Sequence, residues 1–142
     1  ALLEEKAKTT TFERGIRVPM VVSHQSLGVP RETLELVHVA DIMATVAELA
    51  GTPLPNDPEV ISESFLPQVY GRDPGRRSHV VCWTEDFDDR CVRMPRWKLR
   101  QVMGSEELYD LLRDPDEEDP IDPQHPRYRR FADALRELFP SW

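Results

Sequence analysis

Lys8 stands in front of three threonines, Thr9, Thr10 and Thr11, at the start of K-T-T-T-F-E-R-G-I-R-V-P-M. An ammonium is a compact point charge and hydroxyls donate hydrogen bonds, so this cluster has the chemistry to bind an oxyanion. The competing reading is a solvated lysine in an N-terminal tail. Arg17, inside G-I-R-V-P, could also reach a substrate, yet an arginine beside a buried strand more often pairs with a carboxylate to fix a loop, and Glu13 is the obvious partner. Hydrolysis through an activated Ser, Cys or Thr needs a base within reach, but neither G-x-S-x-G nor H-E-x-x-H occurs, and no glycine loop is suited to cradle a phosphate. His24, His38, His79 and His125 are scattered without metal-ligand spacing and read as structural or solvated. Cys82 and Cys91 could face each other across a hairpin. They read as small half-buried strand residues, with a disulfide as the alternative and no C-x-x-C or His pair to complete a metal site.

Charge narrows the partners. With 18 Lys and Arg against 26 Asp and Glu, the formal charge is -8, which argues against nucleic acid, whose phosphates need clustered basic residues. No apolar run approaches the ~18 residues that a membrane helix needs, so no membrane partner is expected, and no leader pattern begins at Ala1. Residues 1–10 read instead as the continuation of something longer. The cysteines leave the compartment open. The 142 residues suffice for one ordinary domain with a core that needs neither disulfide nor metal.

The elements that must position Lys8 follow from periodicity. Val18 to Ser23 is a short apolar run, the pattern of a strand buried on both faces. Such a strand needs neighbours; left with bare edges it offers itself to a second copy, a route to a homo-oligomer, or stays disordered. Val39, Ile42, Met43, Val46, Leu49 and Ala50 recur at helical spacing before Gly51 and Pro53, predicting an amphipathic helix over 39–50. From Gly51 to Arg77 the chain is rich in Pro, Gly and Asp, a connector broken by a helical turn at Phe65 to Tyr70. His79 to Glu85, Arg90 to Met94 and Trp97 to Met103 predict a meander of strands, the last alternating Trp97 and Leu99 with Lys98 and Arg100, and Glu107 to Leu112 adds a short fourth strand or turn. The acidic run Asp114 to Pro120 is expected in solvent, because like charges repel unless water screens them. Pro126 opens a last helix, with Tyr128, Phe131, Leu135, Leu138 and Phe139 on one stripe facing the meander.

Five blocks in one order carry a more specific signal: K-T-T-T-F-E-R-G-I-R-V-P-M, then V-H-V-A-D-I-M-A-T-V-A-E-L-A-G-T-P-L-P, S-F-L-P-Q-V-Y-G, V-R-M-P-R-W-K-L and E-L-Y-D-L-L-R-D-P-D-E. Together they resemble the C-terminal portion of the arylsulfatase-like family, within the alkaline phosphatase superfamily. The resemblance implies a parent enzyme in which a calcium or magnesium ion and a formylglycine, made from C/S-x-P/A-x-R, hydrolyse sulfate esters. This chain has no such motif, and the acidic metal ligands expected earlier in the family are absent, so no cofactor is assigned to the chain itself and the isolated chain is expected to be inactive. Lys8 matches the family lysine that contacts the sulfate. Glu13, Arg17 and Asp41 match structural positions, Asp41 as a cap at the start of the helix. Arg14 replaces the first glycine of the usual E-G-G, and the D-G expected before S-L-L-P is missing around Ser62 to Ser64.

The expected fold is therefore α+β: a four-stranded antiparallel sheet with a packed C-terminal helix, preceded by a strand–helix remnant of a large α/β domain. Residues 1–55 would end the catalytic domain, 56–77 connect, and 78–142 form the small C-terminal subdomain, with the remainder of the catalytic domain as partner and a sulfate ester as the parent's substrate. Two alternatives stay open, a phosphonate or phosphodiester hydrolase of the same superfamily and a free-standing protein-interaction module.

Overall fold

The computed structural model describes residues 6–23, 25, 31–57, 60–72, 77–86 and 88–140. His24, and Phe87 in the expected turn, lie outside them. Backbone contacts group the chain into two compact units: one joins the segment ending at Pro19 to Val81–Trp142, the other is Met20–Val80.

In the first unit a meander of β1 (Val80–Trp83), β2 (Asp89–Arg93), β3 (Trp97–Val102) and β4 (Ser105–Asp110) forms one sheet in sequence order, as the alternating pattern predicts. The β2–β3 register pairs Val92 with Leu99, and the β3–β4 register pairs Leu99 with Leu108, so three apolar side chains line up across one face. The C-terminal helix, Arg129–Arg136, lays Ala132 and Leu135 on that row. Trp97 stacks on Phe131 with ring centroids 4.4 Å apart, and Tyr128, Leu138 and Phe139 complete the expected stripe. Beyond β4 the chain turns through the acidic run and returns beside it, Ile121 bridging to Leu108.

The opposite sheet face departs from expectation. Lys98 is 0% exposed and Arg100 7%, because residues 6–16, including the short helix α1 (Glu13–Ile16), lie over that face. The acidic turn is not wholly in solvent either: Glu117 is 2% exposed. Its left-handed backbone, φ 57°, turns its carboxylate under the sheet, where buried cations compensate the burial of its charge.

In the second unit, α2 (Asp41–Ala50) ends where predicted, with Gly51 at φ 64° supplying the left-handed cap. A single turn, α3 (Leu66–Val69), follows. Ile42, Met43, Val46 and Leu49 on α2 are exposed. Residues 17–23, which run from the first unit into the second, form no strand, and Val18 and Val21 are 74% and 90% exposed. A strand is held by ladder partners, and no described strand pairs with this run. Labelled in chain order, the C-terminal helix is α4.

Candidate functional site

The segment bearing Lys8 is clamped rather than trailing. Thr11 is the main anchor: its backbone N–H donates to Asp89 Oδ2 at 3.0 Å and its hydroxyl donates to Asp89 Oδ1. Arg100 grips the same carboxylate from β3 with two parallel bonds, 2.9 Å from Nε and 2.7 Å from Nη2, and reaches Glu107 at 2.9 Å. Its guanidinium also lies 3.8 Å from the centroid of the Phe12 ring. Burial works to raise the Asp89 carboxyl, but the Arg100 and Thr11 donors outweigh it and hold it below the ordinary range. Tyr109 donates to Glu107 at 2.9 Å; burial and that carboxylate push its phenol far up, so it stays protonated.

Two residues back along β3, Lys98 sits 2.7 Å from Glu117 and 3.3 Å from Glu13. Arg93 shares Glu13 at 3.3 Å, Glu117 accepts the backbone N–H of Glu13, and Lys6 donates to the backbone carbonyl of Glu117. Lys6, Arg93, Lys98 and Arg100 thus meet Glu13, Asp89, Glu107 and Glu117, a balanced set that lets a charged sheet face be buried. Gly15 completes the clamp. A Cβ there would lie 2.3 Å from the carbonyl of Thr10 and 2.5 Å from that of Ala7, so the loop carrying Lys8 folds directly onto this glycine.

Lys8 itself is exposed, and its ammonium has no ion-pair partner among the described residues. Thr9 beside it holds φ 71°, a conformation uncommon for a residue with a branched Cβ. The Lys8 ammonium thus stands exposed on a loop anchored through Thr11 and Gly15. Of the other sequence candidates, Glu13 is buried at the clamp, but with Arg93 and Lys98 in place of Arg17. Arg17 is exposed at the end of α1. Arg14, where a glycine was expected, points outward to Asp116 at 2.9 Å, so its bulk does not crowd the loop.

Asp41 belongs to the second unit and does not cap its own helix. Its carboxylate accepts the N–H groups of His38, 2.7 Å, and Glu63, 2.9 Å, and is gripped by Arg77, with Nε at 2.7 Å. Burial opposes ionisation there, and the Arg77 and backbone donors overcome it, lowering the Asp41 carboxyl. The helix start is served by Ser62, whose hydroxyl accepts from Ala44 N–H at 3.0 Å and donates to the Ala40 carbonyl at 2.6 Å. Burial, then the Arg77 charge, lowers the neighbouring His38 imidazole.

Sequence reasoning missed the roles of Asp89, Lys98, Glu117 and Arg77. The signal available was weak: Lys98 and Arg100 fall on the same strand face as Glu107 and Tyr109 once the hairpin register is known. A metal does not fit this set. Among the described residues no group of three His, Cys, Asp or Glu side chains could hold one, and the buried carboxylates already meet arginine or lysine.

No family model matches the chain. It is 27% identical over 146 residues to an N-acetylgalactosamine-6-O-sulfatase of Bacteroides thetaiotaomicron, covering 92% of this chain and 28% of that protein. To an ulvan-active sulfatase of Formosa agariphila it is 26% identical over 174 residues, covering 95% of this chain and 34% of that one. The solved structure of a 2-O GAG sulfatase superposes with a TM-score of 0.55 at 29% identity, over 69% of this chain and 22% of the other. The chain thus spans between a quarter and about a third of the length of these curated relatives. In sequence and in fold it corresponds to the C-terminal portion of the sulfatases.

Proposed function

We propose that this chain is the C-terminal part of a sulfuric ester hydrolase and that its contribution to the reaction is Lys8, which contacts the sulfate in the intact enzyme. The observation that supports this reading is the free, exposed Lys8 ammonium on a segment held by Thr11, Glu13 and Gly15 against the sheet. A cation fixed in place before the reaction stabilises charge on the transferring group's oxygens without reorganising. Glu13 is then a positioning residue for that segment, and Arg17 and Asp41 keep structural roles.

On this reading residues 1–55 end the catalytic domain, 56–77 connect, and 78–142 are the small subdomain. The nucleophile, a formylglycine, and the calcium or magnesium ligands lie in the remainder of the catalytic domain, which is the chain's principal partner. The isolated chain is inactive for want of both.

The test compares the 142-residue chain with the longest reading frame that contains it, on a chromogenic aryl sulfate. Turnover is expected only from the longer protein, and Lys8→Ala in it should lower kcat/KM by about 10²-fold or more. Turnover by the short chain, or an unchanged rate in the variant, would overturn the proposal.

A further inference from the structure

Two thiols face each other at the edge of the buried polar sheet face. Thr84 N–H donates to the Asp89 carbonyl at 2.9 Å, which sets the antiparallel register of the β1–β2 hairpin. Two residues along each strand, Cys82 stands opposite Cys91, so the two side chains project from the same face of the hairpin. Both are free. Directly opposed residues of an antiparallel pair have Cα atoms ~4.5 or ~5.5 Å apart, and either spacing falls inside the ~4.4–6.8 Å that a disulfide spans. Bridging therefore needs side-chain rotation and little backbone movement.

The two sites are unequal. Cys91 is 0% exposed, whereas Cys82 is partly accessible. The hydrogen bond from Cys91, helped by the nearby Lys98 charge, lowers the Cys82 thiol against the opposing pull of burial and of Glu13. The same hydrogen bond and burial raise Cys91, though Lys98 and the Thr11 hydroxyl act the other way. That asymmetry separates an attacking thiol from a resolving one.

We propose that Cys82 and Cys91 form a reversible thiol–disulfide site that reacts with a low-molecular-weight disulfide such as glutathione disulfide. The Cys82 thiolate attacks one sulfur of that disulfide, forming a mixed disulfide and expelling one thiolate. Cys91 then attacks the Cys82 sulfur, the new S–S bond forms, and the second small thiol leaves, taking up the proton that Cys91 gives up. Two protein thiols are oxidised to one disulfide while the small disulfide is reduced to two thiols, so atoms and electrons balance. The bridge ties β1 to the strand that carries Asp89, the anchor of the Lys8 segment.

The native chain is incubated with excess glutathione disulfide and its intact mass and peptide map are followed. Loss of two hydrogens, with Cys82 and Cys91 in one cross-linked peptide and recovery by dithiothreitol, is expected. Cys91→Ala should halt at a glutathione adduct on Cys82, and Cys82→Ala should gain no adduct. The proposal is overturned by a wild-type chain that keeps both thiols while a cysteine peptide in the same tube is oxidised. A persistent adduct on wild-type Cys82, or a disulfide-linked dimer as the main product, would also overturn it. The wild-type outcomes decide the matter even where a variant fails to fold.

Discussion

Lys98 carries the heaviest consequence of any single side chain. It is sealed beneath the N-terminal segment with Glu117 at 2.7 Å and Glu13 at 3.3 Å. Removing one partner of a buried ion pair leaves the other charged and unsolvated, a loss of about 3–5 kcal/mol. Lys98→Met keeps the length and the packing but leaves Glu117 without a cation and Glu13 with Arg93 alone. Urea denaturation of this variant should show a loss of that order, whereas an exposed pair such as Arg14–Asp116 is worth about 0–1 kcal/mol. A Lys98→Met chain as stable as wild type would mean that the network is solvated, not buried.

Among the elements, the loop and single turn from Lys6 to Ile16 depend on Gly15, and the reason is a close approach rather than a torsion. A methyl group there meets two backbone carbonyls, at 2.3 and 2.5 Å, which cannot give way as a flexible side chain does. Gly15→Ala should therefore push the Lys8 loop off the sheet, at a cost of about 1–3 kcal/mol for overpacking, and should accelerate amide exchange at Thr11, whose N–H is bonded to Asp89. Gly51 makes the contrast. Its space is open, so alanine there bears only the penalty of its left-handed φ, about 1 kcal/mol. Equal stability losses at the two glycines, with Thr11 exchange unchanged, would refute the clamp.

For the whole molecule, the direction of pH dependence follows from four carboxyls held below their ordinary values. Asp89 and Asp41 are lowered by their arginines and neighbouring donors against burial. Arg136 lowers Glu106 and Arg96 lowers Asp110, with burial opposing each. A depressed folded-state pKa means that the unfolded chain takes up protons first as pH falls. The stability from these pairs is complete above the unfolded carboxyl range, about pH 4, and is lost as pH drops through the lowered folded values. Denaturation midpoints should decline gently as pH falls below about 6.5, where the unfolded chain protonates before the lowered His38 does, and fall steeply below about pH 4, and Asp89→Asn should flatten that acid limb. A midpoint that rises on acidification would contradict the assignment.

Much of this was legible from residue order alone, for a physical reason. Helix and strand periods, the Gly51 stop and the stripe from Tyr128 to Phe139 are local properties, and they determine α2, the meander and α4 wherever a core exists to receive them. The motif blocks likewise carried the likeness to sulfatases, because they preserve residue types at fixed spacing. Long-range pairing decided the rest. Lys98 reads as a solvent-facing strand residue until residues 6–16 are laid across it. Glu117 reads as one more exposed acid until the turn backbone aims it inward, and Asp41 reads as a helix cap until Arg77, 36 positions away, claims its carboxylate. Val18 to Ser23 keeps the composition of a buried strand but stays exposed, since composition cannot supply a neighbouring ladder. Sequence by itself determined the elements and the identity of Lys8 as the candidate cation; tertiary structure alone decided which charges are buried together and hold that cation in place.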